Sequence, residues 1–301
     1  MFTGVNDPVM KNLPIFVLLL FITLDIKSQE SNPSPSYRST ILWQIRDTVH
    51  QTTSYLLGTY HQLGNHFVDA FPLIKTKLLE SDIAIFESVD TIKRTDVILD
   101  RPEDFGYRTK LSSKYLDKIE ALATGWKYPL SKLTPTEVLA KLQQDYYRTH
   151  CGNVLPDDTW NHFDDYLMSL ARKAGTQLIG LETDSLMVRL INENTGSLDW
   201  KSAKKILYLW IDACLNPNDD PTLCAFAYRY HALDLEYAFD ISCPDDVLVH
   251  QRNMTWMQQL PDLLQRNHCF IAVGFLHLTR NCGLIAQLKQ RGFAVDPVSL
   301  D

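Results

Sequence analysis

Residues 54–61 read Ser-Tyr-Leu-Leu-Gly-Thr-Tyr-His, and this stretch carries the main prediction of the fold. Residues 55–57 form a short apolar run with strand character, and Gly58 allows a sharp turn or a close backbone approach directly after it. His61 follows three residues later, where a side chain that leaves the end of a strand can face a cleft. A single histidine in this position is more often a hydrogen-bonded structural residue, so this motif alone does not define a site.

The same arrangement recurs near the other end of the chain. Residues 270–273, Phe-Ile-Ala-Val, form a second strand-like run, and Gly274 and His277 follow it with the same spacing. Two G-x-x-H motifs, each after an apolar strand, therefore flank most of the sequence. This recurrence favours a functional role for His61 together with His277.

Two glutamates occupy comparable positions. Glu87 and Glu182 each come at or just after the end of an apolar run of strand type. In a mainly parallel sheet the carboxyl ends of the strands lie at one edge, where ligands and catalytic groups collect. We therefore expect the two glutamates to meet the two histidines in one cleft. Taken singly, each glutamate is more simply explained as a strand-end carboxylate that binds backbone groups or an arginine.

Two imidazoles with one or two carboxylates are a suitable donor set for divalent Mn, Fe, Co or Zn. We predict that His61, Glu87 and His277 bind the metal. Glu87 is assigned as a ligand because its strand directly follows the His61 segment, and sequence-adjacent strands are often neighbours. Glu182 is predicted to act as the general base that takes a proton from an activated water, or else as an outer partner of the metal ligands, with the Thr183 hydroxyl as an orienting group.

Arg252 lies on the predicted helix before the second G-x-x-H motif. We predict that its guanidinium stabilises an oxyanion or orients a carboxylate, although such an arginine is more often a surface charge.

Asn253-Met254-Thr255 is also an N-x-T sequon, which is relevant only to a eukaryotic secreted protein. The other histidines without comparable context are interpreted as structural or surface residues: His66, His162, His231 and His268.

The composition is that of an ordinary globular protein of 301 residues. Its 36 acidic and 29 basic side chains give a net charge of -7, which argues against a general nucleic-acid binder.

Lys11 precedes the apolar residues 13–22, and this run is shorter than the about 20 residues of a membrane span. Residues 1–28 are therefore predicted to be a signal peptide. We expect the mature protein to begin near Gln29, to have no stable membrane anchor, and to be periplasmic or extracellular. The alternative is that the segment is not cleaved and anchors the protein.

The cysteines suit an exported protein, because export permits disulfides. No C-x-x-C pair is present, which disfavours a zinc ribbon. We predict a disulfide between Cys214 and Cys224, which bracket a polar, Pro-containing turn between two predicted helices. The sequence does not give the connectivity, and buried free thiols are an equal alternative.

The order of elements predicts an α/β protein. The sequence predicts strands at residues 41–45, 54–60, 82–86, 177–181, 269–273 and 292–296. Helices are predicted at residues 71–81, from Thr134 onward, and at 158–173, 200–214, 222–239, 245–267 and 284–291. This order indicates a central, mainly parallel or mixed sheet flanked by helices and containing a helical insertion. A Ser- and Pro-rich linker at residues 29–39 precedes one domain at 40–301.

The sequence resembles the TraB/GumN family, which includes the Tiki-type metalloproteases. The resemblance covers roughly residues 40–298 and is carried by these segments in the family's order: Leu42-Trp43, residues 55–61, the strand that ends at Glu87, residues 164–171, Gly180-Leu181-Glu182-Thr183, Arg252-Asn253, residues 273–278 and Gly283. It implies a fold related to erythromycin-esterase and ChaN-like proteins, with the two histidines and a glutamate as the metal site. The chain departs from the family at residues 279–282, where Thr-Arg-Asn-Cys replaces a Gly-containing turn.

These observations predict an exported metal-dependent hydrolase that acts on peptide bonds, with a peptide or small-molecule substrate. The alternative is a non-catalytic protein that sequesters a peptide or small ligand in the same cleft. The second carboxylate favours an enzyme, since a binding site needs no general base. Haem binding, by analogy with ChaN-like proteins, is a third possibility without a C-x-x-C-H motif to support it.

Overall fold

The computed structural model describes residues 40–89, 98–183, 185–186, 189–190, 200–216, 221–244 and 248–300. The predicted signal peptide and linker at residues 1–39 lie outside these ranges. Across the described residues, no helix combines the length and apolar character that a membrane span requires.

Six strands form one mixed sheet in the order β4-β3-β5-β2-β1-β6. The neighbours from β4 to β2 pair in parallel, whereas β1 is antiparallel to both β2 and β6. The strands are β1 (Leu42–Asp47), β2 (Thr52–Thr59), β3 (Ile83–Phe86), β4 (Gln177–Gly180), β5 (Cys269–Gly274) and β6 (Ala294–Pro297). The predicted α/β class with a mixed sheet is confirmed.

The predicted pairing of the first two strands is also confirmed. β1 and β2 form a hairpin in which Leu42 lies opposite Leu57. A short turn joins them, and Gln51 adopts a left-handed backbone there with φ of 59°. Asp47 supports the turn because its Oδ1 accepts hydrogen bonds from the backbone N–H groups of Val49 and His50.

The central strands are apolar throughout because helices cover the sheet. All four residues of β3 and the first five of β5 are buried. The helices are α1 (Asn65–Ala70), α2 (Pro72–Leu79), α3 (Gly106–Lys110), α4 (Ser113–Ala123), α5 (Pro135–His150), α6 (Phe163–Ala174), α7 (Trp200–Leu215), α8 (Ala225–His231), α9 (His250–Trp256), α10 (Leu260–Arg266) and α11 (Leu284–Gln290). Helices α3–α5 and α7–α10 form the helical insertions between strands.

Local signals in the sequence set the ends of two helices as predicted. At the start of α5, the Thr134 hydroxyl accepts from the Glu137 N–H and the Glu137 carboxylate accepts from the Thr134 N–H. This reciprocal capping satisfies two backbone donors that the first helical turn leaves without partners. Helix α6 ends at Gly175, whose φ of 77° is easily reached only by glycine.

Three helix predictions were wrong in their extent. The helix predicted at 222–239 is limited to α8, because the chain turns into left-handed backbone at Leu233. The single helix predicted at 245–267, of which 245–247 lie outside the described residues, is two helices, since Pro261 lacks an N–H and stands in the first turn of α10. The helix predicted from residue 158 begins only at Phe163, because the Asp158 carboxylate binds the N–H groups of Leu155 and His66 instead.

The disulfide prediction was wrong as well. Cys224 pairs with Cys151, with a Cα–Cα distance of 5.3 Å, and a second disulfide joins Cys243 to Cys282. Cys214 remains a free thiol and lies 3.5 Å from the Leu142 carbonyl oxygen, on the contact between α7 and α5. Proximity in sequence did not predict the pairing. Cys151, at the end of α5, lies next to Cys224, whereas Cys214 contacts Leu142 in the middle of α5.

Candidate functional site

The four strand-end residues meet at one edge of the sheet. His61 follows β2, Glu87 follows β3, Glu182 follows β4, and His277 lies in a 3₁₀ turn (Phe275–Leu278) directly after β5. The Nε2 atoms of His61 and His277 lie 3.7 Å and 3.8 Å from the same atom, Oε1 of Glu87. Parallel pairing produces this convergence, because it places the carboxyl ends of the four strands side by side.

The two motif glycines permit close packing rather than unusual backbone angles. A Cβ on Gly58 would lie 3.0 Å from a Leu278 methyl carbon, so this glycine lets the turn that carries His277 pack against β2. A Cβ on Gly274 would lie 3.2 Å from Oε1 of Glu87 and 3.3 Å from Nε2 of His61. Gly274 therefore keeps open the space between these two side chains.

Arg252 projects from α9 into the middle of this cluster, and its side chain is only 7% exposed. Its Nη2 donates to Oε2 of Glu87 at 2.6 Å and to Oε1 of Glu182 at 2.8 Å. Its Nε donates to the other Glu182 oxygen at 2.9 Å, and its Nη1 donates to the Leu248 carbonyl at 2.9 Å. The arginine therefore orients two carboxylates and is not a surface charge.

Opposing effects set the ionisation of Glu87. Burial alone would raise the pKa of its carboxyl group, but the positive charge of Arg252 and the nearby His277 and His61 outweigh it. The N–H of Gly274 also donates to Oε1 at 2.7 Å. The pKa of Glu87 is therefore far below its usual range, so the side chain is a carboxylate that can balance a cation.

His277 is held as a neutral imidazole with a defined tautomer. Its Nδ1 donates to Oδ1 of Asn253 at 2.7 Å, and its Nε2 accepts from Nη1 of Arg252 at 3.0 Å. Burial and then the Arg252 charge lower the pKa of His277 to about 3. Nε2 is therefore the nitrogen with the lone pair, and it faces the cleft.

His61 has a different partner. Its Nδ1 donates to Oδ2 of Asp164 at 2.6 Å, and the other Asp164 oxygen accepts from the Thr59 hydroxyl at 2.9 Å. Burial alone would lower the pKa of His61, but the charge and hydrogen bond of Asp164 raise it to about 9. In the sequence, Asp164 stands out only as the first residue of a segment that resembles the family. Asp164 lies in the first turn of α6, and this position does not indicate that its carboxylate binds His61.

His162 also belongs to this neighbourhood, which corrects its interpretation as a histidine without functional context. Its ring stacks on that of His61, with centroids 5.5 Å apart and planes inclined by 15°. Its Nδ1 lies 3.9 Å from Oδ2 of Asp164. His61, His162 and Asp164 offer potential ligand atoms within 4.8 Å of one another.

The predicted ligands fit a divalent cation by their chemistry. Both imidazoles have Nδ1 engaged with an outer partner, Asp164 or Asn253, as metal-binding histidines usually do. Both Nε2 atoms then approach a buried carboxylate, and Gly274 keeps the intervening space free of a side chain. Since Nη1 of Arg252 donates to the Nε2 lone pair of His277, a cation bound there must displace that hydrogen bond.

The glycosylation sequon is not accessible. Asn253 is fully buried, and its Nδ2 donates to the carbonyl oxygens of His277 and Cys282 at 3.0 Å each. Its side chain fixes the turn after β5 and leaves no amide nitrogen free for a glycan.

Residues 279–282, where the sequence departs from a Gly-containing turn, still form a tight turn. Arg280 has a φ of 66°, a left-handed conformation that normally favours glycine. Its N–H donates to the Tyr237 carbonyl at 2.7 Å, and the Cys243–Cys282 disulfide ties the turn to the preceding segment. These external contacts stabilise a conformation for which the local sequence is poorly suited.

The fold and site together define an α/β protein with a buried His–Glu–Arg cluster at the carboxyl edge of its sheet. The chain belongs to the TraB/PrgY/gumN family, whose family model matches residues 41–297. No curated protein and no solved structure gives a significant match to the chain. The closer relationship to erythromycin-esterase and ChaN-like proteins stays a prediction.

Proposed function

We propose that this protein is a metal-dependent hydrolase that cleaves peptide bonds, with His61, Glu87 and His277 as the ligands of a divalent Mn, Co, Zn or Fe ion. One observation carries the proposal. Two imidazole Nε2 atoms from distant parts of the chain approach the same oxygen of Glu87, at 3.7 Å and 3.8 Å. Their Nδ1 atoms bind Asp164 and Asn253, so Nε2 of each ring is directed to the cleft.

A divalent cation held by these ligands supplies Lewis acidity and lowers the pKa of water. The chain's own residues prepare the ligands. Asn253 accepts from Nδ1 of His277, which leaves Nε2 of that neutral ring unprotonated. Asp164 directs Nε2 of His61 to the cleft but also raises the pKa of His61 to about 9, so this nitrogen must release its proton to water before it can bind a cation. Arg252 holds the Glu87 carboxylate from its other oxygen, so that Oε1 faces the histidines.

Glu182 is proposed as the general base, and its contacts define what that role requires. Both of its oxygens accept hydrogen bonds from Arg252, and Oε2 also accepts from Nε1 of Trp256 at 3.2 Å. Among the described residues, Oε1 accepts one of these three bonds and Oε2 accepts the other two, so the second lone pair of Oε1 is the position that can take a proton from a water. In the arrangement observed, Glu182 supports the position of Arg252, which in turn supports Glu87.

Export to the periplasm or the extracellular space belongs to the same proposal. Its support is the pair of disulfides, Cys151–Cys224 and Cys243–Cys282, since disulfides persist mainly in oxidising compartments. The substrate is then a peptide or an unfolded protein segment outside the cytoplasm.

A non-catalytic binding protein is the second candidate, and the completeness of the Arg252 network favours it. Nε, Nη1 and Nη2 of Arg252 all donate to groups of the chain itself: Glu87, Glu182, the Leu248 carbonyl and His277. A closed network of this kind fixes the shape of a cleft, as ligand binding requires, and does not need any of its residues to take part in a reaction.

The test combines metal analysis with hydrolysis of a peptide library. The wild type is compared with His61→Ala and with His66→Ala as a matched control, because His66 also donates from Nδ1 to an aspartate, Asp158, at 2.7 Å. The hydrolase proposal predicts bound metal and metal-dependent turnover for the wild type and His66→Ala, and loss of both for His61→Ala. Peptide binding without turnover in any metal would support the binding protein and exclude the hydrolase.

A further inference from the structure

The His61 ring contacts different groups through its two nitrogens. Nε2 faces Oε1 of Glu87 at 3.7 Å, whereas Nδ1 donates to Oδ2 of Asp164 at 2.6 Å. His162 stands beside this second contact, and its Nδ1 is buried without a hydrogen-bond partner among the described residues. A buried polar atom without a partner is uncommon in folded proteins. The Asp164 side of His61 is thus an incompletely satisfied cluster of metal-binding groups.

We propose that His162, Asp164 and His61 form a second cation site for Zn²⁺ or a similar transition-metal ion, and that its occupation excludes metal from the His61–Glu87–His277 centre. The donor set of two imidazoles and one carboxylate is typical of zinc. The exclusion rests on the proposed function, because it assumes that His61 Nε2 binds the first metal. The second site itself does not depend on that assumption.

The exclusion follows from the chemistry of one imidazole ring. A neutral imidazole has one N–H and one nitrogen lone pair. When a cation binds at Nδ1 of His61, it takes the place of the proton in the hydrogen bond to Asp164. A neutral ring bound to a cation through Nδ1 carries its one proton on Nε2, and the excess proton of a charged ring is released to water, so Nε2 has no lone pair left for the metal beside Glu87. One histidine then serves two sites, and only one of them is filled at a time.

The second site should be the weaker one. Nδ1 of His162 lies 3.9 Å from Oδ2 of Asp164, somewhat farther than two ligands of one zinc ion, whose bonds are about 2.0–2.2 Å long. The cation must also replace the 2.6 Å charge-assisted hydrogen bond between His61 and Asp164. The positive charge of Arg148 acts on His162 and disfavours a further cation. Asp165, whose Oδ2 is 3.8 Å from the same His162 nitrogen, partly offsets it.

The experiment is a Zn²⁺ titration of metal-free protein by calorimetry and equilibrium dialysis. Four forms of the chain are compared: the wild type, His162→Ala, His277→Asn and the double variant His162→Ala/His277→Asn. Asparagine at 277 retains an N–H that can donate to Asn253. His66→Ala is the control for loss of a histidine from a His–Asp pair outside the cluster. Circular dichroism establishes that each variant is folded, and Glu87→Gln replaces His277→Asn if the latter is not.

We expect one tightly bound ion per chain for the wild type, His162→Ala and His66→Ala. His277→Asn should still bind one ion, at least about tenfold more weakly, and the double variant should bind none. Two ions per wild-type chain, or a double variant that binds Zn²⁺ as His277→Asn does, would overturn the inference. Loss of all binding in His277→Asn alone would overturn the second site and leave the proposed function intact. Loss of the tight ion in His162→Ala alone would instead contradict the proposed catalytic centre.

Discussion

Asn253 accepts a 2.7 Å hydrogen bond from Nδ1 of His277 and thereby determines which nitrogen of that ring faces the cleft. The amide also donates to the backbone carbonyls of His277 and Cys282, so one side chain fixes both the tautomer and the turn. This relationship makes Asn253 a positioning residue for the proposed metal centre.

Asn253→Ala should therefore weaken metal binding without removing a ligand. We expect a loss of about 10- to 100-fold in metal affinity, the usual effect of removing a residue that orients a ligand. Asn267→Ala is the control, because Asn267 precedes β5 at the opposite end of the strand and its amide donates, among the described residues, to the Leu263 carbonyl of α10. Equal metal affinities for the two variants, measured by equilibrium dialysis, would argue against the role of Asn253.

Single replacement of either histidine should remove most of the metal that copurifies with the protein. His61→Ala and His277→Ala each leave two protein ligands, which seldom hold a divalent ion through purification. Metal content by inductively coupled plasma mass spectrometry is the measurement. Full occupancy in a His162→Ala/His277→Ala double variant would exclude His277 as a ligand, because this variant also lacks the second cation site proposed above.

The two glutamates should give different phenotypes. Glu87→Gln should lose both metal and activity, because a neutral amide is a poor ligand and no longer balances the cation. Glu182→Gln should keep its metal and lose turnover by about a hundredfold or more. Glu182 also forms an ion pair with Arg252, so its replacement can destabilise the fold. The melting temperature of each variant is therefore measured, and rates are compared only for variants that are folded.

The opposite result for the glutamates would also be informative. Loss of metal in Glu182→Gln with retention in Glu87→Gln would reverse the two assignments. Full activity in both variants would mean that the carboxylates only hold Arg252, and the hydrolase proposal would fail.

Gly274→Ala tests the space between Glu87 and His61. The added methyl group would stand 3.2 Å from Oε1 of Glu87 and 3.3 Å from Nε2 of His61, so these groups must move apart or rotate. We expect weaker metal binding and an overpacking cost of about 1–3 kcal/mol in the free energy of unfolding. Gly125→Ala is the control, since nothing lies within 4 Å of a Cβ there. A metal affinity unchanged by Gly274→Ala would show that this space is not used.

The two disulfides should differ in their effect on the site. In the loop-closure description, each stabilises the fold by about 4 kcal/mol, because their sequence separations of 73 and 39 residues enter only through a logarithm. Replacing Cys243 and Cys282 by serine should also weaken metal binding, since the Cys282 carbonyl holds Asn253. Replacing Cys151 and Cys224 should lower the melting temperature alone. Equal metal affinities in the two double variants would contradict this difference.

Hydrophobic periodicity and strand-end position carried the prediction of the fold and of the site's location. Leu56 and Leu57 of β2 and the apolar runs of β3 and β5 are buried, and His61, Glu87, Glu182 and His277 meet at the edge where parallel strands end. Burial favours apolar residues in central strands, and parallel pairing aligns their ends. Both constraints act on short segments or follow from the order of the strands, so they can be recognised in a single sequence.

Only the tertiary structure decided the partners. Nothing near Arg252 in the sequence indicates that it binds both Glu87 and Glu182, which lie 165 and 70 residues away. The pairings of His61 with Asp164, His277 with Asn253 and Cys151 with Cys224 depend likewise on how separate elements pack. Hydrogen bonds and disulfides require a fit within a few ångströms, and packing of distant elements determines that fit. The sequence therefore indicated the four strand-end residues that reach the cleft, whereas the packing brought Asp164 and His162 to them and determined which nitrogen, oxygen or sulfur each residue faces there.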